Sequence, residues 1–333
     1  MSDEESSPTS PPSSPAATST SPTARPSGVS SQPQEAHQQS NTTLPAQPPG
    51  EAPPDQRTRP QAGVDDVPVV GALPRVEKQY AHRDFLEAVT PAAAVINIVH
   101  VRRLLKAGHT ASSWFPEETA VVTTTTVADN RLARISWQQE LAFIKAFEPD
   151  YHLPTDYPVY GNMEPDRRVE NIKRCAKGTL HAAEQLADTP TSIIPLIKGT
   201  TAGERFICES VAADLNADMV AKYGTQYFTV PGAGQFPALK EDVQAIAAEV
   251  PADQRLLVIG AMSPSGKFGV QKFPDKVCAV AGTRWHRQVN PRAADDAAMR
   301  EAWQTLQRDV QDALEITGQE AHSTERGSSS SPS

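Results

Sequence analysis

From about residue 84 the chain repeats one pattern: a short, nearly continuous apolar run, then a helical stretch, then another run. That alternation leaves few folds open. Runs that are apolar on both faces suit strands covered on both sides, and a helix between consecutive runs implies parallel strands joined by right-handed crossovers. The runs are Val95–His100, Ala120–Thr126, Tyr151–Asp156 (weakened by Pro154), Ser192–Gly199, Asp218–Gly224, Leu256–Ala261 and Lys276–Gly282. A helix is suggested from Arg102 to Ala107. A capping box at Ser136–Gln139 opens a second, running to Phe147, and Asp166–Leu186 reads as a long one. Another capping box, Thr201 with Glu204, opens a helix to about Leu215. Further helices are expected over Ala238–Val250 and, charged and amphipathic, over about Ala293–Ile316.

The expected fold is therefore α/β, a (β/α)8 TIM-type barrel, with an open doubly wound sheet as the alternative. There is no GxGxxG after a first strand and no GxxxxGK[ST] anywhere, which weakens dinucleotide and P-loop readings. Asp156, Lys198, Tyr223 and Arg284 fall at the C-terminal ends of different runs. In a barrel those ends share one mouth, where active sites lie.

Composition sets the limits of the folded part. Residues 1–66 hold 13 of the 30 prolines, no aromatic residue, and only Val29, Leu44 and Val64 as large aliphatics. Such a stretch cannot bury enough apolar surface to offset its ordering entropy. It is expected to be a disordered tail, as is 318–333, leaving 67–317 for the barrel. The net charge is −9; residues 1–66, with eight acids and three arginines, supply −5, so the remainder carries −4. That balance argues only mildly against nucleic acid, since a local basic patch overcomes it. Cys175, Cys208 and Cys278 are widely spaced and form neither a disulfide framework nor a thiolate zinc motif. No run reaches the ~18 apolar residues of a membrane span, and acids stand where a signal peptide has basic residues. A cytoplasmic location is expected.

Three segments carry the types of residue that do chemistry. In Glu148–Tyr160, Asp150, His152 and Asp156 end a strand beside Tyr157 and Tyr160. Carboxylates suit the N–H edge of a purine and aromatics its faces, although Asp and Pro also simply build turns. In Pro195–Thr201, the Lys198–Gly199 pair lets backbone approach a ligand while an ammonium reaches inward, or else is a plain strand-to-helix turn. The glycines of Val230–Gln235 fit a turn or a ligand-facing loop. In Phe273–Gln288, Asp275 precedes a strand, and Arg284, His286 and Arg287 follow it around Trp285. Cations with an aromatic can hold phosphates and stack on a base, or form a solvated loop.

These segments, in this order, resemble the tRNA-guanine transglycosylase superfamily, and within it the divergent branch that inserts 7-deazaguanines into DNA. The likeness spans roughly residues 115–290 and rests on PDYHLPTDYP, IIPLIKGTT and FPDKVCAVAGTRW. It implies a (β/α)8 barrel and exchange of guanine for a free preQ0-type 7-deazaguanine base through a covalent aspartyl intermediate, with no cofactor or metal. It puts Asp275 near the nucleophile, although two residues separate it from Cys278 where the family has none. It matches Asp156 to the base-binding aspartate and Lys198 and Gly199 to the segment reading the exocyclic groups. His152 and Tyr223 join that base-binding set, and Arg284, His286 and Arg287 are the expected nucleic-acid contacts. The family's Asp-Ser-Gly-Gly-Phe turn is absent; Val127–Asn130 is nearest and makes Asp129 the second carboxylate. The CxCxxC…H zinc site of tRNA-acting members is absent too, so DNA is favoured over tRNA as partner. The competing expectations are a tRNA-acting enzyme, a non-catalytic nucleic-acid-binding relative, and a small-metabolite barrel enzyme using Lys198 as a Schiff base.

Overall fold

The computed structural model describes residues 69–229 and 235–326. The tail expected over 1–66 and most of the Val230–Gln235 turn lie outside the described residues. Eight strands form: β1 (Gly71–Val76), β2 (Ala93–Asn97), β3 (Ala120–Thr124), β4 (Tyr151–Leu153), β5 (Ser192–Ile193), β6 (Met219–Tyr223), β7 (Arg255–Ile259) and β8 (Val277–Gly282). They make one curled sheet in the order β5-β4-β3-β2-β1-β8-β7-β6, and every pairing is parallel. β5 and β6 are the two ends of that order. Just past β5, Leu196 bridges Ala221 of β6; Ile197 N donates to Ala221 O at 2.9 Å, and Ala221 N to Pro195 O at 2.8 Å.

The sheet has two apolar faces because its side chains alternate with period two. Neighbours in sequence divide between them: Ile96, Val121, Val220, Val258 and Val280 face the helices, while Val95, Val122, Ala221, Ile259 and Ala281 join one inner cluster. Leu73, Leu153 and Leu196 complete it, so every strand, or for β5 the residues just after it, feeds a single concave interior. Outside lie α1 (Tyr80–Val89), α2 (Ile98–Leu105), α3 (Ala111–Trp114), α4 (Asp129–Leu132), α5 (Trp137–Phe147), α6 (Pro165–Leu186), α7 (Ala202–Asp214), α8 (Gln226–Thr229), α9 (Gln235–Glu249), α10 (Arg284–Val289) and α11 (Asp296–Arg326). None of the described helices is long and apolar enough to cross a membrane.

Several expected boundaries move. The run Val95–His100 is not one strand: Asn97 ends β2, and its side chain accepts from Val99 N and His100 N, capping α2. Pro154 and Pro195 cut β4 and β5 short, since neither can donate to the ladder. β1, disguised by Gly71 and Pro74, is an eighth strand absent from the sequence reading. α11 continues ten residues past Ile316, into the stretch expected to be a tail. The capping box of α5 forms in both directions. That of α7 is half formed, because Glu204 turns to Thr200 and Arg168 rather than to Thr201 N.

Candidate functional site

All strands being parallel, their C-terminal ends share one edge. Asp129 follows β3, Asp156 follows β4, Lys198 follows β5, Tyr223 ends β6 and Arg284 follows β8. Asp275 does not belong to this group. It is exposed and precedes β8, on the N-terminal edge. At about 3.3 Å per residue, a six-residue strand separates it from the other edge by roughly 20 Å. The expected nucleophile is thus on the wrong side of the sheet.

Asp156 and Lys198 meet directly. Both are buried, at 6 % exposure each, and the Lys198 ammonium pairs with Asp156 Oδ1 while donating to Tyr157 O at 3.0 Å. Burial disfavours the lysine's charge, but the Asp156 carboxylate against it outweighs that and holds the ammonium above the ordinary lysine value.

The backbone that presents Asp156 is held from behind. Thr155 sits at φ +50, a left-handed conformation that costs a β-branched residue about 1–3 kcal/mol. Its N–H donates to Glu140 Oε1 at 2.9 Å, and Asp156 N donates to Thr125 Oγ1 at 2.9 Å. The same Glu140 oxygen, on α5, accepts from His152 Nε2 at 3.0 Å, and His152 Nδ1 lies 2.9 Å from Thr123 Oγ1. His152 is therefore not a base-binding residue facing the interior. Leu153 faces inward, so its neighbour His152 faces the helix layer, fully buried against α5. Gly178 of α6 makes room for Thr155: a Cβ there would lie 2.1 Å from Thr155 Cγ2.

Asp129 opens on the same cavity as Asp156. The cavity measures about 890 Å3 and is walled by Trp137, Tyr157, Tyr160 and Arg174. Tyr160 donates to both Asp129 oxygens, at 2.9 and 3.0 Å, and burial together with that carboxylate pushes its phenol well above the ordinary tyrosine value. Trp137 Nε1 donates to the Tyr157 hydroxyl at 3.0 Å, and the Arg174 guanidinium lies 4.5 Å from the Tyr157 ring centroid. The wall thus offers aromatic surface and positive charge around two carboxylates.

Gly199 serves the turn into α7. Its φ is +126, and a Cβ would come within 2.7 Å of Glu204 Cβ. Tyr223 is half-buried and packs on the inner cluster, on the same face as Leu153. Arg75, two residues after inward Leu73, shares that face, and its guanidinium donates to Thr225 Oγ1 at 3.3 Å. Nothing local in the sequence marks Arg75 or Glu140: one lies in a strand hidden by Gly and Pro, the other reads as an ordinary helical acid.

The expected nucleic-acid group divides. Arg284 and Arg287 are exposed and line a second cavity, over the ends of β7 and β8. His286 points elsewhere and packs edge-on to His82 and Trp285, at 5.2 and 5.6 Å. Trp285 is not available for stacking on a base. It is fully buried, stacks on Phe85 at 4.1 Å and donates to Arg75 O at 3.1 Å. Among the described residues no group of three or more His, Cys, Asp or Glu side chains is arranged to hold a metal ion. No protein-family model matches this chain, and no curated protein matches it in sequence.

Proposed function

We propose that this chain exchanges guanine in a nucleic acid, DNA before tRNA, for a free 7-deazaguanine base. The observation that carries the reading is Asp156, paired behind with Lys198, on the wall of the cavity that also holds Asp129. The purine edge of guanine offers O6 as acceptor next to two N–H donors. The Asp156 carboxylate complements that edge by taking the N–H groups, and Lys198 behind it keeps the carboxylate charged and oriented. A 7-deazaguanine keeps the same edge, so one pocket can release the first base and admit the second. A duplex substrate would have its base flipped into the cavity, with Tyr157 as an aromatic wall.

Asp129 replaces Asp275 as nucleophile in this reading. One of its oxygens attacks C1′ while the bond from C1′ to the guanine nitrogen breaks and that nitrogen takes a proton from water. The incoming base then gives its ring N–H proton to water, attacks C1′ and frees the Asp129 carboxylate as the ester bond breaks. Tyr160 orients the carboxylate. The sheet order and the Leu196–Ala221 bridge support a closed (β/α)8 barrel, which would gather these strand ends into one mouth. A Schiff-base role for Lys198 fits less well, because it needs a free amine and Asp156 stabilises the ammonium.

Mass spectrometry of nucleosides from cells expressing the protein with a supply of preQ0 tests the reading, with DNA and RNA hydrolysed separately. A 7-deazaguanine deoxynucleoside that requires the protein is expected, and Asp129→Asn should lower it at least about 100-fold. An unmodified pair of fractions from folded wild-type protein would sink base exchange. Full activity in Asp129→Asn would sink the nucleophile alone.

A further inference from the structure

The second cavity, about 660 Å3 over the ends of β7 and β8, has a chemistry of its own. Arg284 and Arg287 both line it, and no aspartate or glutamate does among the described residues. That is unlike the rest of the protein: the buried cations Lys198, Lys222 and Arg205 each face a carboxylate. Arg284 donates only to a hydroxyl, Ser263 Oγ at 3.3 Å, and no carboxylate partners Arg287 among the described residues. Two guanidiniums left unneutralised at a concave surface make a place for an anion.

The cavity's other wall is aromatic. Phe228 and Phe268 line it, with ring centroids 5.8 Å apart and planes at 89°. They are 40 % and 41 % exposed, an uncommon state for phenylalanine. Lys267 Nζ lies 5.5 Å from the Phe268 ring centroid, adding a third positive charge at that side. Charge and exposed ring surface thus lie side by side, within the span of one ligand.

We propose that this cavity binds a phosphate ester joined to a planar ring, the phosphate between Arg284 and Arg287 and the ring against Phe228 and Phe268. Ser263 and Thr283 supply hydroxyls to the phosphate oxygens. That ligand chemistry belongs to a free mononucleotide or to one nucleotide of a strand. The site is separate from the cavity of Asp129 and Asp156 and stands whether or not bases are exchanged there.

Binding to the full chain is measured at low salt with three probes: inorganic phosphate, thymidine monophosphate, and a short fluorescent oligothymidine strand, none of which carries the guanine edge. Arg284→Ala with Arg287→Ala is expected to weaken all three by about 10-fold or more. Phe268→Ala is expected to weaken the mononucleotide and the strand by about 5- to 100-fold while leaving inorganic phosphate unchanged. Equal affinity for mononucleotide and strand would identify a free nucleotide as ligand; a much tighter strand, with a salt dependence reduced in the double variant, would identify a polymer. Thermal melting should match wild type in these variants, since every altered side chain is exposed. Failure of the mononucleotide and the strand to bind, or binding that survives loss of both arginines, overturns the proposal. Binding of inorganic phosphate alone overturns the role of the rings. Asp129→Asn should bind all probes normally, so loss of base exchange and loss of this site are separable.

Discussion

Asp156 shows what single residues are asked to do here. A carboxylate and an ammonium taken out of water each lose several kcal/mol of hydration, recovered only through their mutual attraction. The pair is therefore poor value as a structural fastening, and the strained Thr155 next to it adds to the cost. Lys198→Met, which leaves Asp156 buried without its counter-charge, is expected to cost about 3–5 kcal/mol in urea unfolding. The double variant Asp156→Leu with Lys198→Met should regain most of that loss. Single and double variants of equal stability would show that the two charges are not coupled. Both residues were visible in the sequence because strand-end acids and lysines are conspicuous. His152 misled by one residue of parity, which the sequence around Pro154 does not fix. Asp275 misled because a motif of neighbouring residues carries no sign of which end of a strand it occupies.

At the scale of elements, α6 is the piece that closes the site from outside. It crosses Thr155 at Gly178, where the missing Cβ lets the helix come this near the chain just past β4. Gly178→Ala would ordinarily favour a helix by up to about 1 kcal/mol. Here its methyl collides with Thr155, so a net destabilisation of about 1–3 kcal/mol and weaker base exchange are expected, read by chemical denaturation and nucleoside analysis together. A variant more stable than wild type would mean that Thr155 moves aside freely. Strong apolar runs made most strands and long helices legible, and Ser136–Gln139 marked the start of α5 correctly. The elements that were missed are β1 with its Gly and Pro, the ten-residue α1, the six-residue α10, and the four-residue helices α3, α4 and α8. Tertiary contact, not local preference, decides such short pieces.

For the whole molecule, the deciding place is the seam between β5 and β6. The amides of Ile197 and Ala221 each donate across it. If the sheet is closed, their hydrogen exchange should be as slow as that of Val122 and Val258, on strands paired on both sides, limited by global unfolding. Exchange faster by about 100-fold or more would describe an open seam and a sheet with two free ends. The alternation of runs and helices foretold the parallel sheet and its covering, because that pattern has almost no other solution. Whether the sheet meets itself was not legible, since closure depends on a two-residue strand interrupted by Pro195.

The neighbour of β1 opposite β2 is β8, and Ala72 N donates to Gln307 Oε1 of α11 across 235 positions of sequence. Among the described residues, the first strand to leave the ribosome is thus the last to be completed. Through nearly all of synthesis one of its edges has no strand beside it, and residues 69–76 must wait as an unfinished border. At about 5–20 residues per second that wait lasts on the order of 10–50 seconds. During it Gly71 and Pro74, which hide β1 from a reader of the sequence, also make it a poor template for any passing strand.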